Sequence, residues 1–155
     1  MGSMEEKIKL KEKHQQWLQA LETLQNSIVL YAKILNNPQR WAGDDGEEMA
    51  LASRDSTIKR FEYCYELTWK YLQRYLIEDR GIDDLDKGPR PIFRQAGLIS
   101  ILTKDEVSRC LDMCDSRNMT SHIYKDEIAD SVAKAIPGYH ELMITIAEKT
   151  KVGTL

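Results

Sequence analysis

The length, composition and charge of the sequence already exclude several classes of protein. It has 155 residues, of which 42% are hydrophobic and 30% are charged, and this balance argues against wholesale disorder. The net charge of −3 excludes a strongly basic protein that coats nucleic acid, although it allows a local basic groove. No apolar run approaches the roughly 18 residues that a membrane span needs, and no signal-peptide core is evident.

The domain organisation follows from the same features. The length fits one domain, which we expect over residues 4–150. Residues 1–3 look like a cloning scar, and residues 151–155 read as a frayed tail. The three cysteines include no C-x-x-C pair, and with no secretory signal they predict reduced thiols and a cytoplasmic location.

The first predicted helix is long. Apolar and aromatic residues recur at three- and four-residue spacing and so fall on one stripe of a helix. These residues are Leu10, His14, Trp17, Leu21, Leu24, Ile28, Tyr31 and Leu35. Asn36-Asn37-Pro38 should end the helix, since proline cannot continue its hydrogen bonding. The tetrapeptide Gly43-Asp44-Asp45-Gly46 then predicts the centre of a polar loop.

The second predicted helix is apolar on more than one side, which is typical of a central helix. Its main stripe contains Ile58, Phe61, Tyr65, Thr68, Leu72 and Tyr75. We expect it to end near Arg80-Gly81, and residues 82–91 to form a connector.

Three further helices complete the prediction. A short one should cover residues 91–96, with Gly97 behind it. The capping box Thr103-Lys104-Asp105-Glu106 predicts the start of a fourth, and acidic residues near Asp126 favour the start of a last one, which Pro137-Gly138 should kink or break. No strand pattern is evident, so the predicted fold is an all-α, up-and-down bundle of four to five helices.

The stretch from Arg117 to Tyr124 carries the candidate chemistry. His122 follows Arg117 by five residues, about 140° around an ideal helix, so the two would not share a helix face. We therefore expect the helix to end near Met119 or Thr120, so that the following turn swings His122 and Tyr124 back toward Arg117. A guanidinium can hold a phosphate and an imidazole can transfer a proton, so this set suits phosphate chemistry without a metal.

Two separated blocks resemble a known superfamily. Arg117 to Tyr124 resembles the R-x4-H-x-Y signature of HEPN-domain toxins of the HepT type. Residues 60–70 (RFEYCYELTWK) resemble the "RFE-x-x-x-E-x-x-WK" block of the nucleotidyltransferase substrate-binding protein family, which belongs to the same superfamily. The similarity runs from about residue 54 to residue 139.

The resemblance implies a HEPN-like helical bundle that forms a homodimer, with a shared, metal-independent ribonuclease site at the dimer seam. It implies that Arg117 and His122 are catalytic, that Asn118 supports them, and that no metal or cofactor is needed. It also implies a minimal nucleotidyltransferase as the antitoxin partner. Tyr124 would then be a substrate contact or the residue that the partner modifies with AMP.

The leading hypothesis is therefore a toxin endoribonuclease that cuts RNA by 2′-hydroxyl attack. The main alternative is a non-catalytic subunit that holds a nucleotide or substrate for a minimal nucleotidyltransferase, and the acidic pI slightly favours it because RNA binding is largely electrostatic. A purely structural bundle is a third possibility.

Other residues of interest have simpler interpretations. Cys110, Cys114 and His122 are too few to complete a metal site, and buried thiols are commoner. We expect Glu62 and Glu66 to have structural or partner-facing roles. We expect Trp69 to lie in the core and not to stack on a base.

Overall fold

The computed structural model describes residues 3–37 and 45–153, and these residues form five α-helices and no strand. The helices are α1 (Met4–Asn36), α2 (Gly46–Glu78), α3 (Pro89–Leu98), α4 (Lys104–Met119) and α5 (Asp126–Lys149). A 3-10 helix, Thr120–His122, joins α4 to α5. The all-α prediction is confirmed. No helix within the described ranges is long and apolar enough to cross a membrane.

Helices α1 and α2 form the frame of the molecule, and α5 packs against both. The first part of the predicted α1 stripe is buried, and Trp17 is fully enclosed, but Leu35 at its end is 54% exposed while its neighbour Ile34 is buried instead. His14 lies on this stripe, where its Nε2 is 2.8 Å from the carbonyl oxygen of Ala147 on α5. Ser3 caps α1 through a capping box with Glu6. The capping box supplies partners for otherwise unpaired amides of the first turn.

Several helix boundaries differ from the predicted ones. Helix α2 begins at Gly46, inside the predicted loop. The rest of that loop from Pro38 to Asp44 lies outside the described residues, as do residues 1–2 and 154–155. Helix α2 ends at Glu78, shortly before Gly81, whose φ of 66° is left-handed backbone that glycine adopts without strain.

Of the two effects predicted for Pro137-Gly138, the break is wrong, because α5 continues through Pro137, while the kink stays a prediction. Proline removes one backbone donor from a helix but does not prevent neighbouring helices from packing against it. Arg109 on α4 donates a hydrogen bond of 3.2 Å from Nη2 to the carbonyl oxygen of Gly138. This contact ties α4 to α5 beside the proline.

The short helix α3 is longer than expected and contains Gly97 rather than ending before it. A Cβ at position 97 would lie 2.6 Å from Cγ2 of Val107 on α4. Glycine therefore permits the close approach of α3 and α4. The capping box at Thr103 is present, so the start of α4 is confirmed.

Candidate functional site

The corner between α4 and α5, residues 117–125, contains the sequence-predicted site residues. Helix α4 ends at Met119, as predicted, and the 3-10 helix covers the next three residues. Arg117 is thus in the last turn of α4, His122 ends the 3-10 helix, and Tyr124 lies just before α5.

Arg117 is half-buried and held in place by Thr120. Its Nη1 donates a 2.7 Å hydrogen bond to Oγ1 of Thr120, and that hydroxyl donates in turn to the carbonyl oxygen of Arg117 at 2.7 Å. The Thr120 side chain is buried. A buried hydroxyl with two partners fixes the orientation of the guanidinium before any ligand arrives.

Two carboxylates of α2 lie beside the same guanidinium. Nη2 of Arg117 is 3.7 Å from Oε2 of Glu62, and its Nε is 4.0 Å from Oε1 of Glu66. Lys59 and Lys70 also pair with these carboxylates, at 3.7 Å and 3.5 Å. The network of Arg117 with α2 thus holds three cations and two carboxylates.

Sequence reasoning missed the contact between Glu62, Glu66 and Arg117. It gave these glutamates structural or partner-facing roles and did not place the arginine beside them. The available signal was a pair of glutamates four residues apart on one predicted helix and an arginine at the end of another. Helix pairing in space, which a single sequence does not specify, brings them together.

His122 and Tyr124 form the exposed part of the corner. Their ring centroids are 6.1 Å apart in an edge-to-face arrangement, and 74% of Tyr124 is exposed. Nζ of Lys125 lies 5.9 Å from the centre of the Tyr124 ring. The structure therefore brings His122 and Tyr124 together. Within the described ranges no hydrogen bond joins the imidazole of His122 to Arg117.

Asn118 is exposed, and its carbonyl oxygen accepts a 3.0 Å hydrogen bond from Oγ of Ser121. Among the described residues its side chain makes no hydrogen bond to Arg117, whose orienting bond comes from Thr120 instead. The supporting role of Asn118 stays a prediction.

A buried arginine fixes the far side of the corner. Arg54 on α2 contacts Asp126 and Asp130 of α5 at 3.2 Å and 2.9 Å, and its neighbour Asp55 at 3.0 Å. Burial opposes the charge, but hydrogen bonds to the three aspartates outweigh it and raise the pKa of Arg54. This clamp holds the start of α5, immediately after the turn, against α2.

The cysteines lie in the core. Cys64, Cys110 and Cys114 are buried, and burial raises the thiol pKa of Cys64 and of Cys110 to about 12. The ranges 3–37 and 45–153 contain no group of three or more histidine, cysteine or acidic residues placed to hold a metal ion. Cys64 donates a hydrogen bond of 3.2 Å from Sγ to the carbonyl oxygen of Ala20 on α1.

The frame is all-helical, with one polar corner between its last two helices. Residues 12–152 match the family described as nucleotidyltransferase substrate binding protein like, and the chain belongs to that family.

Solved structures of two other proteins have a similar fold. A protein from Thermus thermophilus is 28% identical with a TM-score of 0.70, covering 87% of this chain and 98% of its own. A Haemophilus influenzae protein, described as having the fold of a substrate binding domain of a nucleotidyltransferase, is 24% identical with a TM-score of 0.76. That match covers 88% of this chain and 98% of the other, and at this identity it shows the fold alone. No curated protein sequence matches the chain.

Proposed function

We propose that the chain is the substrate-binding subunit of a two-component nucleotidyltransferase. A separate chain with a minimal nucleotidyltransferase fold supplies the nucleotidyl transfer, and this chain presents a substrate at the corner of residues 117–125. Membership of the family supports the partner class. The observation that carries the role of the corner is the exposed pair of His122 and Tyr124, next to a turn that begins with a fixed arginine.

The corner suits binding because one of its side chains is held in place by the protein while three others are exposed and free to contact a substrate. Arg117 is fixed by Thr120 and by the α2 carboxylates, while His122, Tyr124 and Lys125 are exposed. An exposed phenol and imidazole supply hydrogen bonds, and the lysine supplies positive charge for a phosphate. Tyr124 serves either as a substrate contact or as the acceptor of the AMP group.

A second function, metal-independent RNA cleavage by a HEPN-type toxin homodimer, is favoured by one observation. The imidazole of His122 is exposed at the end of the turn that Arg117 begins, so both groups of the R-x4-H signature lie on one corner. Glu62 and Glu66 oppose this function, because carboxylates at 3.7 Å and 4.0 Å compete with an RNA phosphate for the guanidinium. We therefore place substrate binding first.

The test of the binding function uses the chain together with a minimal nucleotidyltransferase, taken from the neighbouring gene if that gene encodes one. We expect the two to co-purify, and expect Lys125→Glu to weaken the complex or slow transfer from labelled ATP. Lys134→Glu, an equally exposed change on α5, is the matched control. Failure of the two chains to associate, or equal effects of both variants, would contradict the assignment.

The test of RNA cleavage uses the chain alone with RNA in EDTA. Cleavage that disappears in both Arg117→Ala and His122→Ala would establish the ribonuclease and displace the binding function as the main activity. Absence of cleavage, with the complex intact, supports the binding subunit. The role of Tyr124 is read separately, since Tyr124→Phe abolishes AMP labelling of the chain only if its phenol is the acceptor.

A further inference from the structure

Helices α1 and α2 enclose a groove with a volume of about 420 Å³. Its polar lining comes from Lys13 and Gln16 on α1 and from Lys70, Gln73 and Arg74 on α2. Sites for small molecules usually measure about 300–1,000 Å³, so the groove is large enough for a mononucleotide. It shares no lining residue with the corner of residues 117–125.

The groove is lined by cationic side chains although the whole chain has a net charge of −3. Three of its lining residues are cationic, and none of the lining residues that the structure describes is acidic. Glu66 pairs with Lys70 at 3.5 Å and Glu78 pairs with Arg74, but neither glutamate lines the groove. The side chains of Lys70 and Arg74 remain 60% and 49% exposed, so an anion can reach both.

Trp69 supplies an aromatic wall. It is half-buried and lines the groove, so the expected core position is only partly realised. Its Nε1 donates a 3.2 Å hydrogen bond to Oε2 of Glu66, which fixes the indole, and Nζ of Lys70 lies 5.7 Å from the ring centre. Aromatic rings beside cations are the combination that stacks a base and holds its phosphates.

We propose that this groove binds a mononucleotide, with the base stacked on Trp69 and the phosphates held by Lys13, Lys70 and Arg74. Arginine contributes most to phosphate recognition because its planar fork can donate two parallel hydrogen bonds. The proposal goes beyond the function proposed above, because the groove lies outside the corner and its occupation needs no partner chain.

Glu66 lies between the groove and the corner. One of its carboxylate oxygens bonds Trp69 and pairs with Lys70, and the other is 4.0 Å from Nε of Arg117. A ligand that moves Lys70 or Trp69 therefore changes the partners of the carboxylate that faces Arg117.

The first test titrates the full chain with ATP by calorimetry. We expect measurable binding, and expect Lys13→Glu and Arg74→Glu each to weaken it by about tenfold or more, since each removes a charge-assisted contact to phosphate. Lys11→Glu changes the charge of α1 equally but lies outside the groove lining. No binding at millimolar ATP, or an equal loss in Lys11→Glu, would overturn the proposal.

The second test reports on the base. Stacking on Trp69 should quench indole fluorescence on ATP addition, and Trp69→Phe should remove most of the quenching while the protein stays folded by circular dichroism. Inorganic tripolyphosphate should bind more weakly than ATP. Equal affinity for the two, or unchanged quenching in Trp69→Phe, would show that the site does not recognise the base.

These outcomes are separable from those for the proposed function. Loss of ATP binding in Lys13→Glu and Arg74→Glu tests the groove, whereas co-purification and the Lys125→Glu variant test the partner and the corner. A chain that associates with the nucleotidyltransferase but leaves the groove empty would remove this inference and keep the proposed function.

Discussion

At the scale of single residues, Thr120 does most to define the corner. It is 5% exposed, and its hydroxyl both accepts from the Arg117 guanidinium and donates to the Arg117 carbonyl. A side chain of the same shape without the hydroxyl would leave a partly buried guanidinium with one partner fewer. The orientation of Arg117 thus depends on a residue that carries no candidate chemistry of its own.

Thr120→Val should therefore destabilise the protein and loosen Arg117. We expect a loss of about 1 kcal/mol in the free energy of unfolding, the usual net value of an intramolecular hydrogen bond. Thr120→Ser keeps the hydroxyl and is the matched variant. Urea denaturation gives both values, and a valine variant as stable as the serine variant would show that the bond contributes nothing.

At the scale of helices, the sequence predicted the helix starts that depend on residues close together in the chain. The capping box at Thr103 fixed the start of α4, and the acidic residues near Asp126 indicated the start of α5. The start of α2 at Gly46 was not predictable, because glycine and aspartate are ordinarily turn residues. The ion pairs of Arg117 with α2 could not be foreseen either, since they depend on how α2 and α4 pack.

Gly97 and Gly138, which lie inside helices, should respond in opposite ways to alanine. Gly97→Ala places a Cβ 2.6 Å from a Val107 methyl, and overpacking of this kind costs about 1–3 kcal/mol. Gly138→Ala meets nothing within 4 Å and should gain up to about 1 kcal/mol from helix propensity. Thermal denaturation of the two variants compares them directly. A stabilised Gly97→Ala would mean that α3 can move away from α4 without cost.

The acid stability of the α4 start depends on Glu106. Burial alone would raise the pKa of this carboxyl, but hydrogen bonds from Lys149 and from the Thr103 amide outweigh it and lower the pKa. The resulting stabilisation is fully present above the unfolded-state pKa of about 4.3 and is lost as the pH falls through the folded pKa.

Glu106→Gln keeps the capping geometry but removes the charge. We expect it to lower the free energy of unfolding by about 1 kcal/mol at pH 7, and the difference from the parent to shrink toward pH 3. Chemical denaturation at several pH values measures this difference. A difference that stays constant over this range would show that the ion pair with Lys149 contributes nothing.

At the scale of the whole molecule, the resemblance to HEPN proteins implies a homodimer. Several large apolar side chains of α1 are exposed, including Ile8, Val29 and Leu30. Apolar side chains exposed singly are normal on a monomer, so the homodimer stays a prediction from the resemblance.

We expect light scattering after size-exclusion chromatography to give a mass near twice that of the 17.9 kDa chain at micromolar concentration. Leu30→Glu places a charge on the exposed α1 surface, and it should reduce the mass if α1 forms the seam. A monomer at all accessible concentrations would remove the dimer, and with it the shared-site form of the ribonuclease hypothesis.

The Arg54 clamp has a consequence for affinity. The turn that carries His122 and Tyr124 is anchored at its start by the Thr120 hydroxyl and at its end by Asp126, bound to Arg54. A short segment anchored at both ends has little conformational freedom left to lose when it meets another molecule. Preorganisation of this kind lets even a few contacts yield useful affinity, because the entropy of ordering the segment has already been lost during folding.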